Sequence, residues 1–376
     1  MSGRLIGILG GGQLGRMLAL AGYPLGMRFR FLDPASDAPV RSLADHIVAS
    51  YDDHLALTQF SAGLIVATYE FENVPVATAR ALEQHIPVFP PPQALDVAQD
   101  RLAEKRFFTQ LNIPTAPFAP VADRASLDAA VTHIGLPAIL KTRRLGYDGK
   151  GQILIETHSD VDHAWNALGG QPLILEGFVS FARELSILAV RGQDGAIVCY
   201  PLVENVHRNG ILHRSIVPAP GLTAEVNILA ETYARRVLEA LDYVGVLAIE
   251  LFEVEADSKG DGARLLANEM APRVHNSGHW TIEGAVTSQF ENHLRAIAGL
   301  PLGETSARGY AAMVNLIGGL PDVAMLLALP DTHLHLYDKA PRPGRKLGHV
   351  TICARDEALL AERLAVVEQY VLASTR

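Results

Sequence analysis

The stretch LPAILKTRRLGYDGKGQILIE, residues 136–156, decides how this chain is read. Its apolar run LPAIL ends on Lys141. A buried strand there would deliver an ammonium to its end, where it can hold a phosphate as a point charge. A surface lysine at a strand end has the same local sequence. The segment GYDGKGQ at 146–152 then gathers Gly146, Gly149, Gly151 and Lys150 into one loop. Glycines let backbone amides fold over a polyphosphate, although a hairpin tip has a similar composition. No GK followed by Ser or Thr occurs, so this is not a Walker A loop.

Working towards the C-terminus, Glu176 interrupts the apolar run LILEGFV at 173–179, where a backbone segment can read an adenine edge as a hinge would. Glu184 opens the alternating strand ELSILAV and can accept hydrogen bonds from ribose hydroxyls. In GVLAIELFEVE, 245–255, alternation places Val246, Ala248, Glu250, Phe252 and Val254 on one face. Glu250 is the ionisable group on that face, a costly position unless it is paired or coordinates a cation. In RLLANEM, 264–270, Leu265, Ala267 and Glu269 share a face by the same rule. Antiparallel pairing would bring Glu250 and Glu269 together, and two carboxylates with phosphate oxygens suit Mg²⁺. A salt bridge to an arginine would satisfy either glutamate as well.

Towards the N-terminus, RLIGILG at 4–10 reads as a strand, 13–22 as a helix, 28–33 and 64–70 as further strands, with a helix after Pro75. This alternation means a doubly wound parallel sheet. Gly10, Gly12 and Gly15 fit G-x-G-x-x-G, with Asp33 closing the next strand, which by itself suggests a dinucleotide. The motif does not say which anion it meets, and any tight strand-to-helix turn carries it. An NAD-dependent oxidoreductase would leave the glycine loop and paired carboxylates of the middle unexplained. The proline-rich IPVFPPPQAL at 86–95 reads as a boundary. Residues 183–217 alternate as antiparallel strands, 224–242 form a helix, and 310–317, 333–337 and 348–354 return to strand before a helix at 356–373.

With 376 residues, 49% hydrophobic and 19% charged, the chain can bury a large core in two or three domains. A net charge of −9 without a basic run argues against nucleic acid as a partner, and no apolar stretch reaches the ~18 residues of a membrane span. The two cysteines, Cys199 and Cys353, form no zinc spacing. His275 and His279 lie four apart with His207 elsewhere, and nothing completes a zinc set; they read as substrate contacts or as structural histidines. A cytoplasmic enzyme is expected.

Taken in order and spacing, Lys141, the 146–152 loop, EGFV at 176–179, Glu184, Glu250 and Asn268-Glu269 resemble the ATP-grasp fold. The segments MAPRVHNSGHWTIEGAVTSQFENHLRA at 270–296, GGGQLGRM at 10–17, YEFENV at 69–74 and GRKLGHVT at 344–351 are similar to the 5-(carboxyamino)imidazole ribonucleotide synthase family over essentially the whole chain. That resemblance implies a mixed α/β and α+β architecture: a Rossmann-like domain at 1–96, a two-lobed ATP-grasp domain at 97–300 and a small C-terminal domain at 301–376. It implies ATP contacts at Arg101, Lys141, Gly146, Tyr147, Asp148, Gly149, Lys150, Gly151, Gln152, Glu176, Gly177, Phe178, Val179, Glu184, His207, Asn268 and Glu269. Magnesium would sit on Glu250 and Glu269. Tyr147, Asp148 and Arg273 would serve catalysis, His275 and Asn276 would meet an aminoimidazole ribonucleotide, Arg345 and Lys346 its phosphate, and Gln13 and Glu72 the same substrate. Bicarbonate and ATP would react to carboxyphosphate, which carboxylates the exocyclic amine, in a cytoplasmic homodimer of purine biosynthesis. Another ATP-grasp ligase or transformylase would share Lys141, Glu250 and Glu269 but not HNSGHWTIE or GRKLGHVT. Val274 stands where the family usually has proline, and a small local effect is expected.

Overall fold

Strands rich in Ile, Leu, Val and Phe with little alternation are buried on both faces, as parallel strands are. A computed structural model describes residues 3–146, 150–255 and 265–373. Its first part is β1 (Leu5–Leu9), α1 (Gln13–Gly22), β2 (Arg28–Asp33), β3 (Asp45–Val48), α2 (His54–Ser61), β4 (Val66–Tyr69) and α3 (Val76–Glu83). The four strands are parallel in the order β3-β2-β1-β4. This is the doubly wound sheet expected from the sequence.

The proline-rich segment leads into α4 (Pro92–Ala98), with proline in its first turn, where the missing N–H costs nothing. Next comes α5 (Arg101–Gln110). Its N-cap Asp100 accepts from the amides of Leu102 and Ala103 and is gripped by Arg143, Nε to Oδ1 at 2.9 Å and Nη2 to Oδ2 at 2.7 Å. A small antiparallel sheet follows, built from β5 (Phe118–Val121), β6 (Ala138–Thr142), β7 (Gln152–Ile155) and β8 (Leu173–Gly177) in the order β5-β8-β6-β7. α6 (Arg124–Ile134) and α7 (Val161–Leu168) pack over it.

A nine-stranded sheet carries the rest. β9 (Arg183–Arg191), β10 (Ile197–Cys199), β11 (Val203–Arg208) and β12 (Ile211–Val217) are antiparallel, as their alternation predicts. After α8 (Ala224–Ala240) come β13 (Gly245–Glu253) and β14 (Leu265–Ala271), then α9 (Thr281–Gly284), α10 (Gln289–Ile297), β15 (Tyr310–Ile317), α11 (Val323–Leu327), β16 (Thr332–Leu336), β17 (Lys346–Ala354) and α12 (Glu357–Ala373). The order is β14-β13-β9-β11-β12-β15-β17-β16, with β10 added to β9. β15 therefore pairs with β12, and the last strands extend the large sheet. β17 begins at Lys346, two residues before the expected start.

One core spans the first sheet and the large one: Ile6, Phe29 and Phe31 share it with Leu188, Val246, Trp280 and Leu294. α1 meets α10 so closely that a Cβ on Gly22 would lie 2.9 Å from Leu294 Cδ1. His293, fully buried, ties the parts together. Its Nδ1 accepts from the Val246 amide at 3.1 Å, which fixes the tautomer, so Nε2 donates to Thr68 Oγ1 at 2.9 Å. A protonated ring could not accept that amide, and burial pushes the imidazole down to about 3. The unfolded chain takes up a proton below its ordinary 6.5, whereas the fold does not, so stability is lost as the pH falls through this window. His293→Gln keeps an acceptor and a donor and is expected to flatten the dependence of unfolding free energy on pH between 6.5 and 5 by about one proton, about 1.4 kcal/mol per pH unit. Denaturant titrations across that range check this, and an unchanged slope contradicts it.

The glycine turn at the end of β1 has the expected shape, with Gly10 at φ +96°. Its donors are taken by the protein itself: the Gly12 and Gly15 amides reach the Glu70 carboxylate at 2.5 and 2.7 Å, and the Gly11 amide reaches Asp33 Oδ2 at 2.7 Å. A Cβ at Gly12 would stand 2.4 Å from Glu70 Oε1, so glycine here admits a carboxylate that a dinucleotide phosphate would have to displace. Titration with NADH, followed by fluorescence, is expected to show no saturable binding at micromolar concentrations; such binding would overturn this reading of the turn.

Candidate active site

Alternation along β13 and β14 determines which side chains meet. Glu250 pairs directly with Glu269, whereas the next position pairs Leu251 with Ala267, so Asn268 is an extra residue in β14. This bulge corrects the face expected from sequence. Leu265 and Ala267 turn into the core under α8, together with Leu251 and Ile249. The extra residue reverses the alternation, and Asn268 and Glu269 line the cavity with Glu250. Burial first and the facing Glu269 second hold the Glu250 carboxyl well above the usual carboxylate range. Arg101 Nη1 donates to Glu269 Oε2 at 2.9 Å and its Nη2 to the Gly146 carbonyl at 3.3 Å. His275 Nε2 lies 3.5 Å from Glu250 Oε1, while burial and Arg273 push its ring down to about 3. Among the described residues no three His, Cys, Asp or Glu side chains form a metal cluster. The chemistry of the facing pair nonetheless fits a hard divalent cation that takes its remaining oxygens from phosphate and water.

The cavity, about 690 Å³, is walled by all three sheets. From the small sheet, β6 brings Lys141 to the wall. Its ammonium is 3.0 Å from Glu176 on β8, and Lys105 of α5 stands 3.4 Å from the same carboxylate. Burial would raise the Glu176 carboxyl, but Lys105 and Lys141 hold it down to about 2. Glu176 itself does not line the cavity, nor do Gly177, Phe178, Val179, Lys150 and Gly151; Gly146 and Gln152 do. Tyr147, Asp148 and Gly149 lie outside the described residues.

On the large sheet, Glu184 of β9 meets His207 Nδ1 of β11, and both line the cavity. Burial alone would lower the His207 pKa, but the bond to Glu184 together with the charges of Glu250 and Glu184 raises it. The segment after β14 is held from several sides. Gln289 grips the His275 backbone in both directions, at 2.9 and 2.7 Å. Asn276 and Asn315 exchange amide hydrogen bonds at 3.1 and 2.8 Å. A Cβ on Gly278 would strike Leu188 Cδ2 at 2.2 Å. Val274 is fully buried in the shared core.

Beside the first sheet, Gln13 at the start of α1 and Glu72 just after β4 line the cavity. Glu72 pairs with Arg273 Nε; burial would raise its carboxyl, but Arg273 holds it down to about 2. Lys346 lines the cavity at the start of β17, whereas Arg345 turns to the Ala340 carbonyl and is not part of the wall. Lys339, which the sequence reading missed, bonds to Gln13 Oε1; burial, offset in part by Glu70, lowers its ammonium to about 8. Glu104 and Lys105 were also missed. They lie in α5, but no sequence signal marks them as buried.

Three family models match: the ribonucleotide synthetase preATP-grasp domain over residues 4–99, the ATP-grasp domain over 106–290 and the phosphoribosylaminoimidazole carboxylase C-terminal domain over 311–363. The N5-carboxyaminoimidazole ribonucleotide synthase of Pseudomonas aeruginosa is 54% identical over 366 residues, 97% of this chain and 99% of that protein. The crystal structure of the Thermus thermophilus synthetase of that name is 56% identical, with a TM-score of 0.92 over 97% of this chain and 98% of that one. The Aspergillus clavatus enzyme, solved with ADP and 5-aminoimidazole ribonucleotide, is 31% identical with a TM-score of 0.90 over 98% of this chain and 99% of that one. Relatives this close across nearly the full length, on top of the charge arrangement above, make the chain a member of the N5-carboxyaminoimidazole ribonucleotide synthase family of ATP-grasp ligases.

Proposed function

We propose that this protein joins bicarbonate to the exocyclic amine of 5-aminoimidazole ribonucleotide at the expense of ATP, giving N5-carboxyaminoimidazole ribonucleotide, ADP and phosphate in purine biosynthesis. The observation that carries this reading is the facing pair Glu250 and Glu269 in one cavity with Lys141, Arg273 and Lys346. A bicarbonate oxygen attacks the γ-phosphorus and ADP leaves. The amine then takes the carboxyl carbon of carboxyphosphate, directly or through released CO₂, while phosphate leaves and the amine loses a proton.

Phosphoryl transfer needs positioning and charge neutralisation more than covalent help. Magnesium on Glu250 and Glu269 would screen the phosphate oxygens. Lys141 would meet the transferred phosphoryl group. Arg273, fixed by Glu72 between the first sheet and the large one, would face the carboxyphosphate. Glu184 and Arg101 flank the nucleotide's place, with His207 steadying Glu184. The 146–152 loop would close over carboxyphosphate and exclude water, with Tyr147 and Asp148 assigned from sequence. Gln13, Glu72, His275 and Asn276 form the wall for the imidazole. The division of the chain at residues 96 and 300 belongs to the same reading, as does the expectation of a cytoplasmic homodimer.

ADP release measured with ribonucleotide and bicarbonate added singly and together tests the reaction. ADP formation that needs both, with a carboxylated product, is expected; formate replacing bicarbonate, or no carboxylated product, would overturn it. The ribonucleotide's phosphate does not react, so its contacts are uniform between ground and transition states and act on KM. Arg345→Ala with Lys346→Ala is therefore expected to raise the ribonucleotide KM at least about tenfold, roughly 1.4 kcal/mol, with the ATP KM little changed. Lys346 should carry most of the effect, because it lines the cavity. Equal rises in both KM values would remove this segment from the substrate site.

A further inference from the structure

β14 is the edge strand of the large sheet, and an edge leaves backbone donors and acceptors without a ladder partner. The Ala267 amide finds the Pro114 carbonyl at 2.7 Å. Beyond it, α5 takes over. Lys105 Nζ donates to the Asn268 carbonyl at 2.8 Å, and the Met270 amide donates to Glu104 Oε1 at 2.7 Å. These groups belong to the two peptide units that flank Glu269. One turn earlier on the same helix, Arg101 holds the Glu269 carboxylate itself. Three side chains of α5 thus grip the side chain and both neighbouring peptides of a single residue.

Glu104 and Lys105 are each only 2% exposed. Burying a carboxyl group and an ammonium costs desolvation that apolar side chains of similar volume would avoid. The expense is understandable from what they hold. Without the bulge, Glu269 would follow Leu265 and Ala267 into the apolar core under α8. Lys105 also reaches Glu176, the partner of Lys141, so α5 links both halves of the nucleotide site.

We propose that Glu104 and Lys105 are positioning residues: they lock the bulge at Asn268 and so aim the Glu269 carboxylate at the metal. The proposal rests on the reading of Glu250 and Glu269 as the magnesium pair. Groups that orient a metal ligand typically change metal affinity by about 10–100-fold when removed, so Glu104→Ala is expected to raise the half-saturating magnesium concentration about tenfold and to move the ribonucleotide KM by less than about twofold. Glu104→Gln retains an acceptor for the Met270 amide and is expected to restore the parent requirement.

The experiment follows ADP release by the full-length protein at saturating ribonucleotide and bicarbonate, with magnesium varied at fixed ATP, alongside melting temperatures. A lowered melting temperature with an unchanged magnesium requirement in Glu104→Ala would reduce Glu104 to a structural role and overturn the proposal. If that variant does not fold, Lys105→Met decides: the same magnesium shift supports the proposal and a normal requirement overturns it. Glu269→Gln separates the two readings. If it raises the magnesium requirement and the α5 variants do not, positioning fails while the metal pair stands. If Glu269→Gln itself leaves the requirement unchanged, the metal reading fails and brings the proposal down with it.

Discussion

Like charges set directly opposite one another on adjacent strands repel, and the repulsion grows as water is withdrawn. Glu250 and Glu269 stand in that relation, and the surroundings answer to it. Arg101 binds one carboxylate, and a neutral His275 lies against the other without adding a charge. Lys141 is kept at the opposite wall by Glu176, with Lys105 behind it. Arg273 is compensated first by Glu72, with Glu269 among the weaker charges acting on it. The result is a cavity whose carboxylates are only partly matched from within. A site built to receive a cation together with a polyanion has this form, since a fully neutralised wall would gain little from either.

Such a balance depends on position, and the walls come from three different sheets. The first sheet and the large one are placed relative to each other by apolar contact more than by charge. The first and large sheets share one core, α1 lies against α10 so closely that a Cβ at position 22 would press on Leu294, and His293 ties Thr68 to Val246. The small sheet has its own core and reaches the others chiefly through α5 and the ion pairs around Asp100 and Glu176. A lobe attached mainly by polar contacts at one edge can shift as a unit more readily than one that shares its core with its neighbours.

Much of this was legible because period and punctuation agree. β1, α1, β2 and β4 follow from apolar runs broken by glycine, and the alternation in 183–217 gave antiparallel strands. The edge strand β3 and the short helix α2 escaped notice: DHIV is four residues long and only half buried, so it has no apolar run to show. The convergence of Glu250 and Glu269 was anticipated, but by a face assignment that the bulge at Asn268 corrects. A bulge changes the parity of a strand without any composition signal, so period-two reasoning cannot see it. Lys339, Glu104 and Lys105 were missed for a related reason. Charged residues in a helix or loop read as solvated until the fold shows what lies against them.

The glycine turn shows the same limit from the other side. G-x-G-x-x-G describes a backbone that can approach an anion at the start of a helix. Nothing in those residues requires the anion to come from outside. Here Glu70, from the end of β4, fills the place, and Asp33 takes a further amide. Burial raises the Glu70 carboxyl despite the two amides, so the turn is the local element that keeps its charge tolerable. Glu70 lies two residues before Glu72, the partner of Arg273, and beside Lys339, the partner of Gln13. By seating Glu70, the motif fixes the end of β4 where the first sheet meets the cavity wall. Its function is thus to place protein carboxylates, and the same physics that makes it a dinucleotide site elsewhere serves here to hold the first domain in register with the cavity.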